Sequence, residues 1–168
     1  MATEGPVVTE QARALIGMET SSQLGEVTLR ELQRYAVAVG DMNPLYFDEE
    51  YAGRSAYGGT IAPPNFLTAI IGWHPGPPEE QLTPDGRPAG REYTLPLKGV
   101  TRAMGGGQEL EFLAPVRPGD SFTRVTKLVD ISEKEGKSGR LVIVEAEQRY
   151  VNQRGETAVV CRTSTILR

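Results

Sequence analysis

Gly40-Asp41-Met42-Asn43-Pro44-Leu45-Tyr46-Phe47-Asp48 is a polar, tightly turning run, and the residues on either side of it set the fold. Upstream, Thr28-Leu29-Arg30-Glu31 has the spacing of a capping box, with Thr28 as N-cap and Glu31 reaching back. Leu29, Leu32, Ala36 and Val39 recur at helical spacing, which predicts an amphipathic helix over 28–39. Gly40 stands where a C-cap glycine ends such a helix. Downstream, Asp48-Glu49-Glu50 opens a short second helix running to about Arg54, its carboxylates suited to a positive helix N-terminus. A third helix is predicted from Pro63-Pro64-Asn65 through Phe66 to Trp73, with prolines where missing N–H groups cost least. Its middle is apolar almost all round, as a helix buried on most sides requires.

The character then changes. Pro75 to about Pro96 is rich in Pro, Gly and charge and is predicted as a long surface loop or insertion. Glu109-Leu110-Glu111-Phe112-Leu113 is a candidate strand, followed by the turn Arg117-Pro118-Gly119-Asp120. Ser121 to Ser132 and Leu141 to Val151 are β-rich, with Glu133 to Gly139 as a polar hairpin turn between them. Thr157 to Leu167 is the last strand, reached through Asn152-Gln153-Arg154-Gly155. Gly105-Gly106-Gly107 fits a bulge, or a close approach to a ligand. A short strand, helices and then a run of antiparallel strands make an α+β plan, one buried helix against one face of a curled sheet. Residues 1–15 lack periodicity and are expected to be a loosely held arm, with 16–168 forming a single domain.

Composition narrows the function classes. A chain of 168 residues is long enough for one real core, and its apolar (39%) and charged (24%) fractions are those of an ordinary globular domain. A net charge of −4 argues against nucleic acid or an anionic membrane as the main partner. No apolar run approaches the roughly 18 residues of a membrane span. No basic-then-apolar leader is visible in 1–10, so a cytoplasmic protein is expected. Cys161 is the single cysteine and His74 the single histidine, which leaves no internal disulfide and argues against a His/Cys metal site.

Three stretches together resemble a known family. Gly40 to Asp48 resembles the loop G-D-x-N-P-L-H of MaoC-like, R-specific enoyl-thioester hydratases and dehydratases. Tyr57-Gly58-Gly59-Thr60-Ile61-Ala62-Pro63-Pro64, leading into the buried helix, is similar to the family's approach to its central helix. Leu110 to Asp120, with its E-F-x-x-P-V-R-P-G-D pattern, resembles the strand and turn that follow the hydratase core. The likeness covers roughly 16–167 and is greatest for the FAS1-like, HadA-type dehydratases. It implies a hot-dog fold, an antiparallel sheet wrapped around a central helix. It also implies an acyl-CoA or acyl-carrier-protein thioester as substrate, with no cofactor.

Adding water across an enoyl thioester needs a base for water, an acid for the α-carbon, and donors for the charge on the thioester oxygen. In the family, the Asp and His of the loop move the protons, and a backbone N–H near the start of the central helix serves the oxygen. The resemblance carries the Asp onto Asp41 and the loop's Asn onto Asn43, but the His position holds Tyr46. A phenol of pKa near 10 is a poor base at neutral pH, though it can donate a hydrogen bond or line a channel. Asp41 equally suits an Asx-type turn with Asn43. Pro63 and Pro64 align with the family's His and Gly, and proline has no N–H to offer. The site Asp41, Asn43 and Tyr46 therefore reads as degenerate, with Phe47, Gly59, Ile61, Ala62, Pro63, Pro64 and Phe66 as the expected acyl-thioester wall.

The leading expectation is a subunit of a hydratase or dehydratase, paired in a heterodimer or heterotetramer with a hot-dog chain carrying the intact Asp and His. A self-sufficient homodimer using Asp41 is the first alternative. A non-catalytic acyl-thioester-binding or scaffold protein is the second. A hot-dog thioesterase is disfavoured because Asn65 to Trp73 carries no carboxylate. Lys98, Arg102 and Arg117 are candidates to meet the phosphates of CoA or a carrier protein, against the plainer reading of solvated surface cations.

Overall fold

The computed structural model describes residues 6–69, 78–82, 95–100, 102–136 and 139–168. In chain order the elements are α1 (Glu10–Arg13), β1 (Glu19–Glu26), α2 (Leu29–Val39), α3 (Glu49–Arg54), α4 (Phe66–Ala69), β2 (Ala103–Phe112), β3 (Ser121–Gly136), β4 (Gly139–Asn152) and β5 (Thr157–Leu167). The five strands form one antiparallel sheet in the order β1-β3-β4-β5-β2. β1 and β2 are its two edges.

The capping box closes as its spacing predicts: Thr28 Oγ1 accepts from Glu31 N, and Glu31 Oε2 accepts from Thr28 N at 2.9 Å. Gly40 ends α2 in the left-handed region (φ 73), where a side chain would be strained. Only part of the apolar stripe is used. Leu32 and Ala36 are fully buried, whereas Leu29 and Val39 lie exposed at the two ends. The inward side of α2 packs with Phe66 and Leu67 of α4 onto the sheet face of Phe122, Tyr150, Val159 and Cys161. Of the helix predicted through Trp73, the turn Phe66–Ala69 is described, and its Phe66 and Leu67 are buried. Ile70 to Trp73, His74 and most of the predicted loop 75–96 lie outside the described residues, apart from a single 3-10 turn at Glu79–Gln81.

Three expectations change. The described part of the N-terminal arm is held in place: Val7, Val8 and Ala12 join Ile131, Val142 and Leu167 in a second apolar cluster at the far end of the sheet. Val8 N donates to Glu133 Oε1 (2.6 Å), and Thr9 caps α1 and bonds Pro96 O (2.8 Å). A four-residue helix is too short to show a period, so the sequence carries no signal for it. Second, Glu133 to Gly136 is strand and not turn, paired with Gly139 to Val142. One face of that hairpin tip is solvated, so its charges sit on strands, where Glu135 and Arg140 pair at 3.0 Å. Third, β2 begins at Ala103, six residues before the predicted Glu109.

The glycine run does hold a bulge, with the register shifting between Gly105 and Gly107. A Cβ on Gly106 would stand 2.7 Å from Ser164 Oγ and 3.0 Å from Ser164 O. Gly106→Ala is therefore expected to cost about 1–2 kcal/mol by overpacking. A urea midpoint matching wild type would mean that the edge strand simply moves away.

Candidate functional site

The site is built where α2 ends. Gly40 reverses the chain so that Asp41 N reaches Ala36 O at 2.9 Å. Asp41 Oδ1 then accepts from Asn43 N (3.3 Å), and Asn43 Oδ1 accepts from Leu45 N (3.0 Å). These two Asx-type contacts wind Pro44–Tyr46 into a 3-10 turn, with Pro44 at the position that has no N–H to lose. The turn drives Tyr46 inward to 4% exposure, and its hydroxyl donates to Asp41 Oδ2 at 3.1 Å. Gln33 Nε2 holds the Tyr46 carbonyl from α2 at 3.1 Å. Phe47 packs edge-on against the phenol, ring centroids 6.4 Å apart.

Asp41 is thus both an organiser of its loop and the partner of Tyr46. The residue five positions after the aspartate meets it as the loop geometry demands, but with a hydroxyl that donates. Burial pushes the Tyr46 phenol up to about 12, and the Asp41 hydrogen bond and charge, with a smaller effect from Tyr57, push the same way. At neutral pH it is a protonated donor and not a base. Tyr150, buried on the sheet face beside Arg124, is also raised, chiefly by burial. The sign follows directly. Both phenols hold their proton more tightly in the folded state, so this stabilisation is intact below the ordinary tyrosine value near 10. For Tyr46 it is lost as pH rises through about 12. Stability should fall over that window, and at the lower edge the native tyrosinate absorbance should fall short of the chain's 6 tyrosines until denaturant is added. Full native ionisation there would contradict the geometry.

Beside the turn lies an open cavity of about 450 Å³. Of the expected residues, Asn43, Tyr46, Ile61, Ala62, Pro63, Pro64 and Phe66 line it. Asp41, Phe47 and Gly59 do not: Asp41 and Phe47 stand behind Tyr46, and Gly59 lies in the loop tied down by Arg117. The Arg117 guanidinium donates to Tyr57 O, so this candidate phosphate binder is used to hold the 57–59 loop. Tyr57, Asn65, Phe112, Leu113, Val116 and Val159 also line the cavity, and the sequence reading does not assign them to it. Phe112 to Val116 lies inside the E-F-x-x-P-V stretch, so its pattern marks the place without showing which way it faces. Tyr57, Phe112 and Leu113 are exposed, leaving the wall nearest the β2 edge open to solvent.

The floor of the cavity offers few backbone donors. Ile61 N bonds Leu45 O (3.4 Å) and Ala62 N bonds Val116 O (2.8 Å). Pro63 and Pro64 have no N–H. Among the described residues, no group of His, Cys, Asp and Glu is arranged to hold a metal ion.

Residues 14–161 match the family model described as "FAS1-like, dehydratase domain region". The chain belongs to the FAS1-like dehydratase family. Among curated relatives of this FAS1-like chain, a UPF0336 protein of Streptomyces avermitilis is 30% identical over 145 residues, covering 85% of each chain. The "Probable enoyl-CoA hydratase alpha subunit" of Thermomonospora curvata is 27% identical over 140 residues, covering 81% of this chain and 43% of its own length. Among solved structures, a chain of the ChsH1-ChsH2 complex of Mycobacterium tuberculosis superposes with a TM-score of 0.69 at 14% identity, covering 93% of this chain and 86% of that one. The resemblance to hot-dog dehydratases and the α+β hot-dog plan are borne out. The FAS1-like family is one of hydratases and dehydratases, and no helix among the described residues is long and apolar enough to cross a membrane.

Proposed function

We propose that this chain is one subunit of an R-specific enoyl-CoA or enoyl-carrier-protein hydratase, or of the 3-hydroxyacyl-thioester dehydratase that runs the same step in reverse. A second hot-dog chain supplies the working Asp and His. The observation that carries this reading is the hydrogen bond from Tyr46 Oη to Asp41 Oδ2 at 3.1 Å. Hydration moves a proton from water to a base as the oxygen bonds the β-carbon, and returns a proton to the α-carbon. A phenol held up to about 12 keeps its own proton and takes none from water. Both oxygens of Asp41 already accept hydrogen bonds inside the loop, and Asp41 does not reach the cavity surface. Ala62, Pro63 and Pro64 leave the thioester oxygen without the backbone donor expected there. Removing one such donor costs about 10²–10³ in rate, and removing acid–base help about 10²–10⁴.

The acyl-binding part of the site is better kept. The cavity is of ligand size and mainly apolar, with polar groups at Asn43, Tyr46 and Asn65. Its open wall, with exposed Phe112 and Leu113, faces the unpaired β2 edge, where a second hot-dog chain would complete it. A relative named as an alpha subunit and a structural neighbour solved as a two-protein complex support a paired assembly. Co-expression with the hot-dog chain encoded beside it, followed by mass measurement, should give an equimolar complex. A stable homodimer that excludes that chain would favour the self-sufficient alternative.

A further inference from the structure

Asn65 lines this cavity with a carboxamide that has no partner among the described residues. The geometry points to Asn65 as the residue that donates a hydrogen bond to the carbonyl oxygen of a bound acyl thioester, in place of the N–H groups missing at Pro63 and Pro64. This rests on the acyl-thioester reading above. Four observations carry it. Asn65 lines the cavity together with Tyr46, and the residue is exposed. Its carboxamide bonds no described group, whereas those of Asn43 and Asn152 are both engaged, with Leu45 N and with Glu156. It is the only non-glycine residue among those described with a positive φ, at 65°. Asparagine tolerates that conformation better than most side chains, but it is still strained.

The fourth observation is how the residue is held. Its own carbonyl accepts from Thr68 Oγ1 and from Ala69 N, both at 3.0 Å, so the backbone is pinned from the C-terminal side. On the other side, Pro64 has its own φ fixed by its ring, so the chain enters Asn65 from a rigid residue. The carboxamide thus extends from a fixed point, as a donor for a carbonyl must. A carboxamide NH₂ has two donor hydrogens, so one bond to a ligand leaves the other for solvent. Asn65 is here a binding and orienting group, and no proton transfer is assigned to it.

The test compares two ligands on the full chain: crotonyl-CoA, and the butyl thioether of CoA, which keeps the nucleotide and pantetheine but lacks the carbonyl. Wild type should bind the thioester about 3- to 10-fold more tightly, the range one neutral hydrogen bond supplies. Asn65→Gly, which suits the left-handed backbone, should keep or raise the melting temperature and bring the two affinities together. Asn65→Asp, of the same shape with no donor, should lose the preference as well. An unchanged preference in Asn65→Gly overturns the assignment of Asn65 while leaving the acyl-thioester reading intact. Wild type that binds neither ligand, alone or paired with the hot-dog chain encoded beside it, overturns both.

Discussion

Tyr46→His should give the isolated chain enoyl-thioester hydration at least ~10²-fold above wild type, followed as the loss of enoyl absorbance. The loop already places residue 46 within hydrogen-bond reach of Asp41, at 3.1 Å. What it lacks is a group whose free lone pair accepts a proton near neutral pH. An imidazole has an ordinary pKa near 6.5, and a neighbouring carboxylate raises it and orients the ring. General acid–base help contributes about 10²–10⁴ in rate. The lower end is expected here, because Pro63 and Pro64 offer the thioester oxygen no backbone N–H and Asp41 stands away from the cavity surface. Tyr46→Phe is the control: it removes the hydroxyl without adding a base and should give no gain. A folded Tyr46→His variant as inert as Tyr46→Phe would mean that the missing base is not what silences this site.

Asp120→Ala should lower folding stability by about 2–4 kcal/mol, read from urea unfolding. Asp120 is 3% exposed, and each of its carboxylate oxygens is used. Oδ2 accepts from Arg117 N at 3.0 Å, and Oδ1 accepts from Arg154 Nη1 at 2.9 Å and Gln153 Nε2 at 3.4 Å. Its carbonyl takes Val27 N at 2.8 Å. One residue thus joins the exit of β1, the turn before β3 and the β4–β5 hairpin. Alanine would leave the half-buried Arg117 N–H with no acceptor, and it would also remove the carboxylate that holds this corner together. Arg154 is half exposed, so Arg154→Ala removes a solvent-screened pair and should cost under about 1 kcal/mol. The turn also sets Val116 O, the acceptor of Ala62 N, so the loss should loosen the cavity floor too. Equal effects of the two substitutions would show that the ion pair, and not the backbone bond from Arg117 N, holds this corner.

Much of the fold is legible in the sequence because its signals are local. A capping box, a glycine C-cap and β-rich runs each report on a few adjacent residues, and α2, β3, β4 and β5 stand close to where these place them. What escapes is set by distant contacts. Val7, Val8 and Ala12 carry no period, and only Ile131, Val142 and Leu167, far along the chain, make them core. The charged run from Glu133 looks like a turn because strand pairing at a solvated tip leaves no alternation to see.

The site divides along the same line. Asp41 and Tyr46 are close in sequence, so their meeting follows from one loop, and the substitution of a phenol for an imidazole is visible at once. The remaining wall needs Tyr57, Phe112 and Val159 to converge from three elements. Asn65 was hidden for another reason. Beside two prolines it reads as the start of a helix, and only its φ of 65 shows that its backbone leaves that pattern.

The most direct measurement is enoyl-CoA hydration by the purified chain, alone and then with the hot-dog protein encoded beside it. The chain should be silent alone and active in the pair, with Asp41→Asn leaving the pair's rate unchanged and loss of the partner's loop histidine abolishing it. Activity of the chain alone, abolished by Asp41→Asn, would contradict the account and show that Asp41 and Tyr46 form a working site.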